Sequence, residues 1–342
     1  MQQQGSFLPA EWHNQSGVQL TWPDKQTDWV TVLEEVLPVY EQVAREILKR
    51  EKLLVVCRDR SLLPDFLQKE SEQLIVREMP VNDTWARDHG PLSLIREGKP
   101  TLLNFRFNGW GMKFAAAHDN QITPNLLRQQ TFADGILAQD LSYFTLEGGA
   151  IESNGTGCLL TTSECLLSKN RNEHLSQDEI EFFLKKILHV EKVLWLNHGF
   201  LEGDDTDSHI DTLARFCNEN TIAYIRCTDS SDIHFDALRK MEAELKQLTD
   251  QYGKPFTLVP LPFTDAIVDE DGERLPATYA NFLILNKAVL LPVYEVQQDA
   301  EAIEIMKQLF PEREIIPINS RALIRQHGSI HCISMQFPEG FL

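Results

Sequence analysis

The chain has 342 residues, enough for one large domain or two ordinary ones, and a formal net charge of −19. That charge argues against nucleic acid and anionic membranes as partners, because both need clustered Lys and Arg, whereas it would attract a small cation. Six cysteines are too sparse for a disulfide scaffold, and no apolar leader or spanning run occupies the first thirty residues, so we expect a cytoplasmic protein with reduced thiols.

Apolar periodicity predicts alternating helices and strands in the first half of the chain. The predicted elements are a helix over 28–50 that Pro38 kinks or restarts, strands over 53–57, from 74 and over 102–107, a helix over 122–137, a strand over 144–149 and a hairpin return strand over 157–162.

The second half continues the alternation, and its clearest signal is the capping box of Ser176 and Glu179 ahead of an amphipathic helix. After it come predicted strands over 193–196 and 222–227, a helix over 234–251, strands over 256–260 and 282–293, a helix over 298–310 and closing strands around Cys332. This order predicts an α/β protein. No linker divides the chain, so we expect a single domain over 1–342.

Several predicted strands run directly into turns that hold ionisable or aromatic residues. These turns contain Asp83 to Asp88, Asn108 to Trp110, Glu147, His209 to Asp211, and Cys332. Strands that deliver polar residues from distant parts of a chain to one place commonly build an active site.

Cys332 lies between Ile330 and Ile333 and is predicted to end a strand, with its thiol aimed out of the sheet. A cysteine nucleophile acts as its thiolate, and a histidine such as His209 supplies acid and base steps near neutral pH. The alternatives are a buried structural cysteine and a hydrogen-bonded structural histidine, since both are common.

His209 and Asp211 are two residues apart and would share one face of a strand. The acidic residues beside them, Asp204, Asp205 and Asp207, need a cation or a basic group to offset their repulsion. A metal is one candidate, but no second well-spaced ligand group accompanies His209 and Asp211. The other candidate is a guanidinium, whose planar donors match the carboxylates of Asp88 and Asp211.

Each remaining candidate also has a structural interpretation. Asp88 could pair with Arg87 or close the turn before Gly90, and Glu147 could orient the histidine or close its own turn. Trp85 and Trp110 could wall a cation with their ring faces or belong to the core.

Longer motifs occur in order along almost the whole chain. They are LPAEW at 8–12, WP at 22–23, NDTWARDHGP at 82–91, FNGWG at 107–111, LEGG at 146–149, NRNEHLSQDEIE at 170–181, DDTDSHIDTLARF at 204–216 and SIHCIS at 329–334. With these motifs the chain resembles the agmatine deiminase family, which is related to the bacterial peptidylarginine deiminases among the guanidino-modifying enzymes.

The resemblance implies a pentein fold, an α/β propeller of five pseudo-repeated ββαβ units around a central active site, with no metal or organic cofactor. It implies that Cys332 is the nucleophile, His209 the acid and base, Asp88 and Asp211 the guanidinium ligands, and Glu147 a support for the histidine. The implied reaction is hydrolysis of agmatine to N-carbamoylputrescine and ammonia, a step toward putrescine. A homodimer is the assembly that the family suggests.

Five residues near the implied site depart from the family pattern. Gln326 and His327 stand in a run that is usually glycine-rich, Met112 and Ser208 stand where glycine is usual, and Met335 stands where glutamine is common. These departures leave free arginine, peptidylarginine or another guanidino compound as alternative substrates. A metal-dependent hydrolase using His209 and Asp211 and a non-catalytic guanidino-binding relative are the alternatives from other classes.

Overall fold

The computed structural model describes residues 5–342, in which five small sheets form. Their strands, β1 to β16 in chain order, are Gln15–Thr21, Lys52–Cys57, Leu74–Glu78, Leu92–Arg96, Lys99–Arg106, Leu137–Thr145, Ile151–Ser153, Cys158–Thr162, Lys192–Leu196, Ala214–Asn218, Thr221–Arg226, Thr257–Pro262, Leu283–Leu285, Ala288–Val293, Glu314–Asn319 and Ser334–Pro338.

Helices connect these strands. The α-helices, α1 to α11 in chain order, are Leu33–Leu48, Asp65–Gln68, Ala86–His89, Gly109–Met112, Ile122–Arg128, Ser163–Leu166, Lys169–Asn172, Gln177–Leu188, Phe235–Leu245, Asp299–Leu309 and Arg321–Ile324. Short 3₁₀ helices occupy Asp28–Thr31, Arg60–Leu62, Asp119–Gln121, Gly148–Ala150 and Ile210–Thr212.

Every sheet contains the same three-strand unit. In the sheet of β10, β11 and β12, the first pair is antiparallel and the second pair is parallel. A parallel pair cannot be joined by a tight turn, and α9 supplies the crossover between β11 and β12. The units β4-β5-β6, β7-β8-β9 and β13-β14-β15 repeat this pattern.

The fifth unit joins the two ends of the described chain. Strand β16 pairs antiparallel with β1, and β1 pairs parallel with β2, so the last strand completes the unit that the first strand begins. Strand β3 extends this sheet to the order β16-β1-β2-β3. The protein is therefore a pentein propeller of five ββαβ units, as the resemblance implies.

Burial explains why these segments form their elements. All residues of β2 after Lys52 are buried, which is typical of a parallel strand covered on both faces. The predicted capping box is confirmed at α8, where the Ser176 side chain accepts from the Glu179 amide and Glu179 bonds back to the Ser176 amide. Helix α1 runs through Pro38 without the predicted restart.

Several predicted elements have the wrong extent. The strand predicted over 144–149 shares only residues 144 and 145 with β6, because the chain then enters the 3₁₀ helix Gly148–Ala150. The helix predicted over 122–137 ends at Arg128, and Leu137, its last predicted residue, is the first residue of β6. The helix predicted over 234–251 ends at Leu245. The single strand predicted over 282–293 is a hairpin of β13 and β14, since Asn286 and Lys287 turn the chain and Lys287 has a φ of 64°.

The structure confirms that Cys332 and His209 lie in connections outside the strands, whereas the expectation that Cys332 ends a strand and that His209 shares a strand face with Asp211 is wrong. Cys332 lies in a turn, since the Ser334 amide donates to the His331 carbonyl, and β16 begins only at Ser334. His209 lies at the amino end of the 3₁₀ helix that contains Asp211. Turns and short helices, rather than strand faces, therefore present these side chains. Across residues 5–342 no helix is both long and apolar enough to cross a membrane.

Candidate active site

The sequence-predicted polar residues meet where the five units join. Asp88 lies in α3, Glu147 precedes the 3₁₀ helix Gly148–Ala150, His209 precedes the 3₁₀ helix Ile210–Thr212, and Cys332 precedes β16. Each is buried. The connections between units therefore bring residues from distant parts of the chain to one centre.

Gly149 is the point on which three of these side chains converge. A Cβ atom built on Gly149 would lie 2.6 Å from His209 Nδ1, 2.8 Å from Asp88 Oδ1 and 3.1 Å from Asp211 Oδ2. Such contacts are too short for a carbon atom, so the second glycine of the LEGG motif is required for the side chains to approach. We call Asp88, His209, Asp211 and Cys332 the pocket floor; Asp88 and Cys332 line the pocket directly, and His209 and Asp211 are buried beside them, outside the pocket lining.

Asp88 is held by neutral donors only. Its Oδ1 accepts from the Gly149 amide at 2.9 Å, and its Oδ2 accepts from Trp110 Nε1 at 2.9 Å. Burial raises the pKa of Asp88 to about 7, and these two hydrogen bonds do not offset the desolvation. Arg87, its neighbour in sequence, pairs with Glu11 instead. Within the described part of the chain, this carboxylate therefore has no Arg or Lys partner.

Asp211 is buried more completely. Its Oδ2 lies 2.7 Å from His331 Nδ1 and accepts from Asn281 Nδ2 at 3.3 Å, whereas its Oδ1 has no hydrogen-bond partner among the described residues. Burial raises the pKa of Asp211 well above its ordinary value, and the nearby Asp88 adds to the effect. An unpartnered carboxylate oxygen is costly in a protein interior unless a ligand meets it.

His209 has neither ring nitrogen paired within residues 5–342. Its Nδ1 lies 3.6 Å from Asp88 Oδ1, beyond hydrogen-bond distance. Burial lowers the pKa of His209 well below its ordinary value, and Arg171 contributes to the same shift. The imidazole is therefore neutral in the empty site and free to accept a proton.

The Cys332 thiol lies beside the acidic pair, with Sγ 3.8 Å from Asp211 Oδ2. Burial raises the pKa of this thiol well above its ordinary value, and Asp211 and Asp88 raise it further. Asn281 Nδ2 donates to Sγ at 3.1 Å. Without a ligand the sulfur is therefore a protonated thiol, and a positive charge placed beside it would favour the thiolate.

Asn281 is a site residue that the sequence patterns did not indicate. Its Oδ1 accepts from the amides of His331 and Cys332 at 3.0 and 3.2 Å, which fixes the turn that carries the thiol. It follows β12 by a long connection, precedes β13 and has no motif of its own. Only its position in the fold identifies it.

Glu147 lies behind His209 but is not hydrogen-bonded to it among the described residues. Both its carboxylate oxygens accept from Arg171 Nε at 3.0 Å. Arg171 also donates to Asp207 at 2.6 Å, and Lys113 donates to the other oxygen of Asp207 at 2.6 Å. The sequence left open whether a bound cation or a basic group of the protein offsets the charge of the acidic segment at 204–207. In the structure, the basic groups Arg171 and Lys113 offset the charge of Asp207.

A second buried set of charges lies behind the pocket floor, and in it carboxylates pair with guanidinium groups. We call Glu11, Arg87, Glu152 and Arg215 the arginine network. Glu11 accepts from Arg87 at 3.1 Å and from Arg215 at 2.5 Å, and Arg215 also pairs with Glu152. Burial alone would raise the pKa of Glu11, but Arg215, His331 and Arg87 hold it well below its usual range.

Both predicted tryptophans line the pocket above the floor. Trp110 donates to Asp88, and Trp85 Nε1 donates to Asp83 Oδ2 at 3.0 Å. The pocket holds about 120 Å³, and its wall is formed by Asp28, Asp83, Trp85, Asp88, Trp110, Phe114, Asp205, Thr206, Thr212, Gln326, His327, Gly328 and Cys332. None of these described lining residues is Arg or Lys, so the wall is acidic and aromatic.

Three of the five departures from the family pattern keep a backbone that favours glycine. Met112, Ser208 and His327 have φ angles of 67°, 62° and 67°, in the left-handed region. His327 also lines the pocket, where its Nδ1 lies 2.7 Å from the Gly203 carbonyl and its Nε2 lies 3.8 Å from Asp205. Of these three residues, His327 is the one that can contact a ligand.

The other two departures differ in position. Gln326 lines the pocket and donates to the Asp28 carbonyl at 3.0 Å. Met335 lies beneath the floor, because a Cβ on Gly148 would meet its Cε at 2.9 Å. Met335 therefore supports the glycine turn and does not face the pocket.

Two groups of side chains near the floor have metal-ligand spacing among residues 5–342. They are Glu147 with Cys165 and His209, and Glu11 with Glu152 and His331. In both groups the carboxylates are already paired with arginine. A guanidinium beside each carboxylate opposes a second cation there, so the donor sets do not fit a metal. The predicted pair of His209 and Asp211 belongs to neither group.

Comparison with known proteins gives matches over almost the whole chain. A sequence profile described as Porphyromonas-type peptidyl-arginine deiminase matches residues 7–338. A crystal structure from Porphyromonas gingivalis, described as a candidate arginine deiminase, is 51% identical with a TM-score of 0.93, covering 98% of this chain and 99% of that one.

Two further relatives are named for agmatine as the substrate. A Cys-to-Ser variant of C. jejuni agmatine deiminase with substrate bound is 36% identical with a TM-score of 0.91, covering 98% of this chain and 97% of that one. A candidate agmatine deiminase from Vibrio parahaemolyticus is 35% identical over 98% of both chains. All of these matches extend through the pocket floor.

Proposed function

Because the chain belongs to the Porphyromonas-type peptidyl-arginine deiminase family, we propose that it is a hydrolase that deiminates a small guanidino substrate, agmatine, to N-carbamoylputrescine and ammonia. The observation that carries the proposal is the pocket floor, where a thiol lies beside two buried carboxylates that have no Arg or Lys partner among residues 5–342. A cationic guanidino group matches that arrangement in charge and in hydrogen-bond geometry.

In the first half of the reaction, Asp88 and Asp211 hold the guanidinium while Cys332 attacks its carbon. The thiol proton passes to His209, whose unpaired neutral ring is ready to accept it. The positive charge of the substrate beside the sulfur lowers the cost of forming the thiolate. His209 then gives the proton to the departing nitrogen, ammonia leaves, and a covalent thiouronium remains on Cys332.

In the second half, His209 takes a proton from water, and the oxygen attacks the thiouronium carbon. The carbon–sulfur bond breaks with its electron pair returning to Cys332. The proton on His209 restores the thiol, the remaining hydroxyl proton of the ureido group passes to solvent, and a neutral ureido product leaves. Glu147 acts on this cycle indirectly, since its ion pair with Arg171 fixes the charges behind His209.

The acidic pocket wall supports agmatine over arginine. Agmatine carries a second cation at its far end, whereas free arginine also carries an α-carboxylate. Asp28 and Asp205 line the pocket with no Arg or Lys among its described lining residues, so a substrate carboxylate would meet like charge there. Burial raises the pKa of Asp83, which also lines the pocket, to about 8, so this side chain is largely uncharged at pH 7. Peptidylarginine lacks that carboxylate and is the second candidate, favoured by the family description.

The test is ammonia release from agmatine, free arginine and a blocked arginine peptide, with the wild-type protein compared with Cys332→Ala. We expect release from agmatine that the variant loses. Release that survives in Cys332→Ala would contradict the thiol mechanism, and release from the peptide alone would assign the second candidate. A chelator should change nothing, whereas activity lost to the chelator and restored by a divalent ion would indicate a metal-dependent hydrolase.

A further inference from the structure

His331 is the buried residue next to the nucleophile, and both of its ring nitrogens meet carboxylates. Nδ1 lies 2.7 Å from Asp211 Oδ2, and Nε2 lies 2.7 Å from Glu11 Oε1. Each of these short contacts requires a hydrogen, but a neutral imidazole has only one N–H. One more proton must therefore lie on the ring, on Glu11 or on Asp211.

The surroundings decide where that proton lies in the empty site. Glu11 is paired with Arg215 at 2.5 Å and Arg87 at 3.1 Å, so it is ionised. Asp211 has no Arg or Lys partner among the described residues, and its other polar contacts are with Asn281 and the Cys332 thiol. Burial and the charges of Asp88, Asp204 and Glu11 oppose its ionisation, and the charge of Arg87 offsets this only in part. The proton between Asp211 and His331 therefore lies on the carboxyl group, and Nε2–H donates to Glu11.

A bound guanidinium reverses this preference. The cation favours an ionised Asp211, and its charge acts on a carboxyl oxygen that is already hydrogen-bonded to Nδ1. The Asp211 O–H bond can then break while the Nδ1–H bond forms, with the electron pair staying on the carboxylate. The resulting imidazolium lies between two carboxylates, Asp211 and Glu11, which stabilise it.

We propose that His331 is a positioning residue that takes the Asp211 proton when a cationic guanidino group docks and returns it when the neutral product leaves. The inference rests on the proposed deimination of a guanidino substrate. It needs no proton from solvent, because donor and acceptor are both inside the protein. The arginine network then has a role in the reaction, since Glu11 stabilises the charged ring.

Proton release on binding tests this proposal. Agmatine is titrated calorimetrically into Cys332→Ala, which cannot turn it over, at pH 7 in phosphate and in Tris, whose ionisation enthalpies differ. We expect fewer than one proton released per agmatine. In the double variant Cys332→Ala, His331→Gln, the Asp211 proton must leave to solvent, so we expect about one more proton released per agmatine than in Cys332→Ala. The affinity of the double variant for agmatine should also fall more steeply on acidification, by up to about a further tenfold per pH unit.

The outcomes that overturn the proposal are more than one proton released by Cys332→Ala, or an equal count in the double variant. His174→Gln, which alters an exposed histidine, should leave the count unchanged. If His331→Gln does not fold, His331→Asn replaces it. A purely structural role for His331 would lower stability and leave the proton count as it was.

Nitrogen NMR of histidine-labelled protein tests the empty state without any substrate. We expect a neutral His331 with its hydrogen on Nε2, and an imidazolium in the empty protein would overturn the proposal. This measurement also separates two failures. If agmatine neither binds nor reacts, the proposed substrate is wrong. An imidazolium at His331 would reject the proton transfer whether or not agmatine binds.

Discussion

The pocket floor and the arginine network place the same chemical group, a buried carboxylate, in opposite environments. In the arginine network, Glu11 meets two guanidinium groups of the protein, and its pKa is held low. On the pocket floor, Asp88 and Asp211 contact no guanidinium group among residues 5–342, and burial raises the pKa of both. The comparison indicates that arginine side chains neutralise the buried carboxylates of the arginine network, whereas a cationic substrate is expected to neutralise those of the pocket floor.

Removing the nucleophile should have the largest effect on function. Cys332→Ala should lower kcat for agmatine at least about a thousandfold, because no other group can form the thiouronium. Steady-state ammonia release measures the effect. Cys227→Ala is the matched control, since Cys227 is a buried thiol that bonds to the Asp229 carbonyl outside the pocket, and it should retain full activity.

Removing a carboxylate from the arginine network should have the largest effect on the free energy of unfolding. Glu11→Gln leaves Arg87 and Arg215 without their shared carboxylate, and we expect about 3–5 kcal/mol lower free energy of unfolding at pH 7. Because the folded pKa of Glu11 lies well below its unfolded value, this contribution is fully present above the unfolded pKa, begins to decrease as the pH falls below it, and is lost only as the pH reaches the folded pKa.

Urea unfolding at pH 7 and near pH 4 measures that loss, and the difference between wild type and Glu11→Gln should shrink at the lower pH. Glu304→Gln removes a carboxylate from an exposed pair with Lys307 and should change little at either pH. An equal effect of the two variants at pH 7 would mean that the buried network is no stronger than a surface pair.

The pocket floor should make the affinity for agmatine depend on pH. The folded pKa of Asp88, about 7, lies above its ordinary value, so the proton competes with a bound cation below pH 7. Agmatine affinity for Cys332→Ala should fall about tenfold per pH unit below pH 7 and level off above it. A flat profile from pH 5.5 to 8 would contradict the assignment.

The smallest effect concerns the pocket wall. His327→Gly removes an imidazole from the pocket, and its left-handed backbone suits glycine. We expect the ratio of kcat/KM for agmatine to that for a blocked arginine peptide to change about three- to tenfold, a typical result of altering one pocket contact. Met112→Gly gives the same backbone relief away from the pocket lining and should leave the ratio unchanged.

The sequence predicted the α/β class from its alternating elements, and the ordered motifs predicted the five-unit propeller. It could not predict that β16 completes the first unit, because pairing between the two ends depends on the whole fold. The helix over 122–137 was predicted too long because apolar Ile136 and Leu137 continue the periodicity, although Leu137 belongs to β6.

The site was predicted as a set of residues and not as a geometry. The motifs named the four floor residues and Glu147; Asp88, His209 and Asp211 come together around Gly149, and Cys332 lies beside Asp211. The strand settings of Cys332 and His209 were wrong, since short apolar runs do not separate a strand from a turn. Asn281 and the two-sided contact of His331 could not be found, because they depend on side chains distant in sequence.

The central claim is that the pocket floor binds the positive charge of the reacting group. The most direct test compares the affinities of Cys332→Ala for agmatine and N-carbamoylputrescine at pH 8, since both ligands carry the same charged amine and differ in the charge of the reacting end. The account predicts that the neutral ureido compound binds at least about a hundredfold more weakly, which corresponds to about 2.7 kcal/mol. Equal affinities would contradict it.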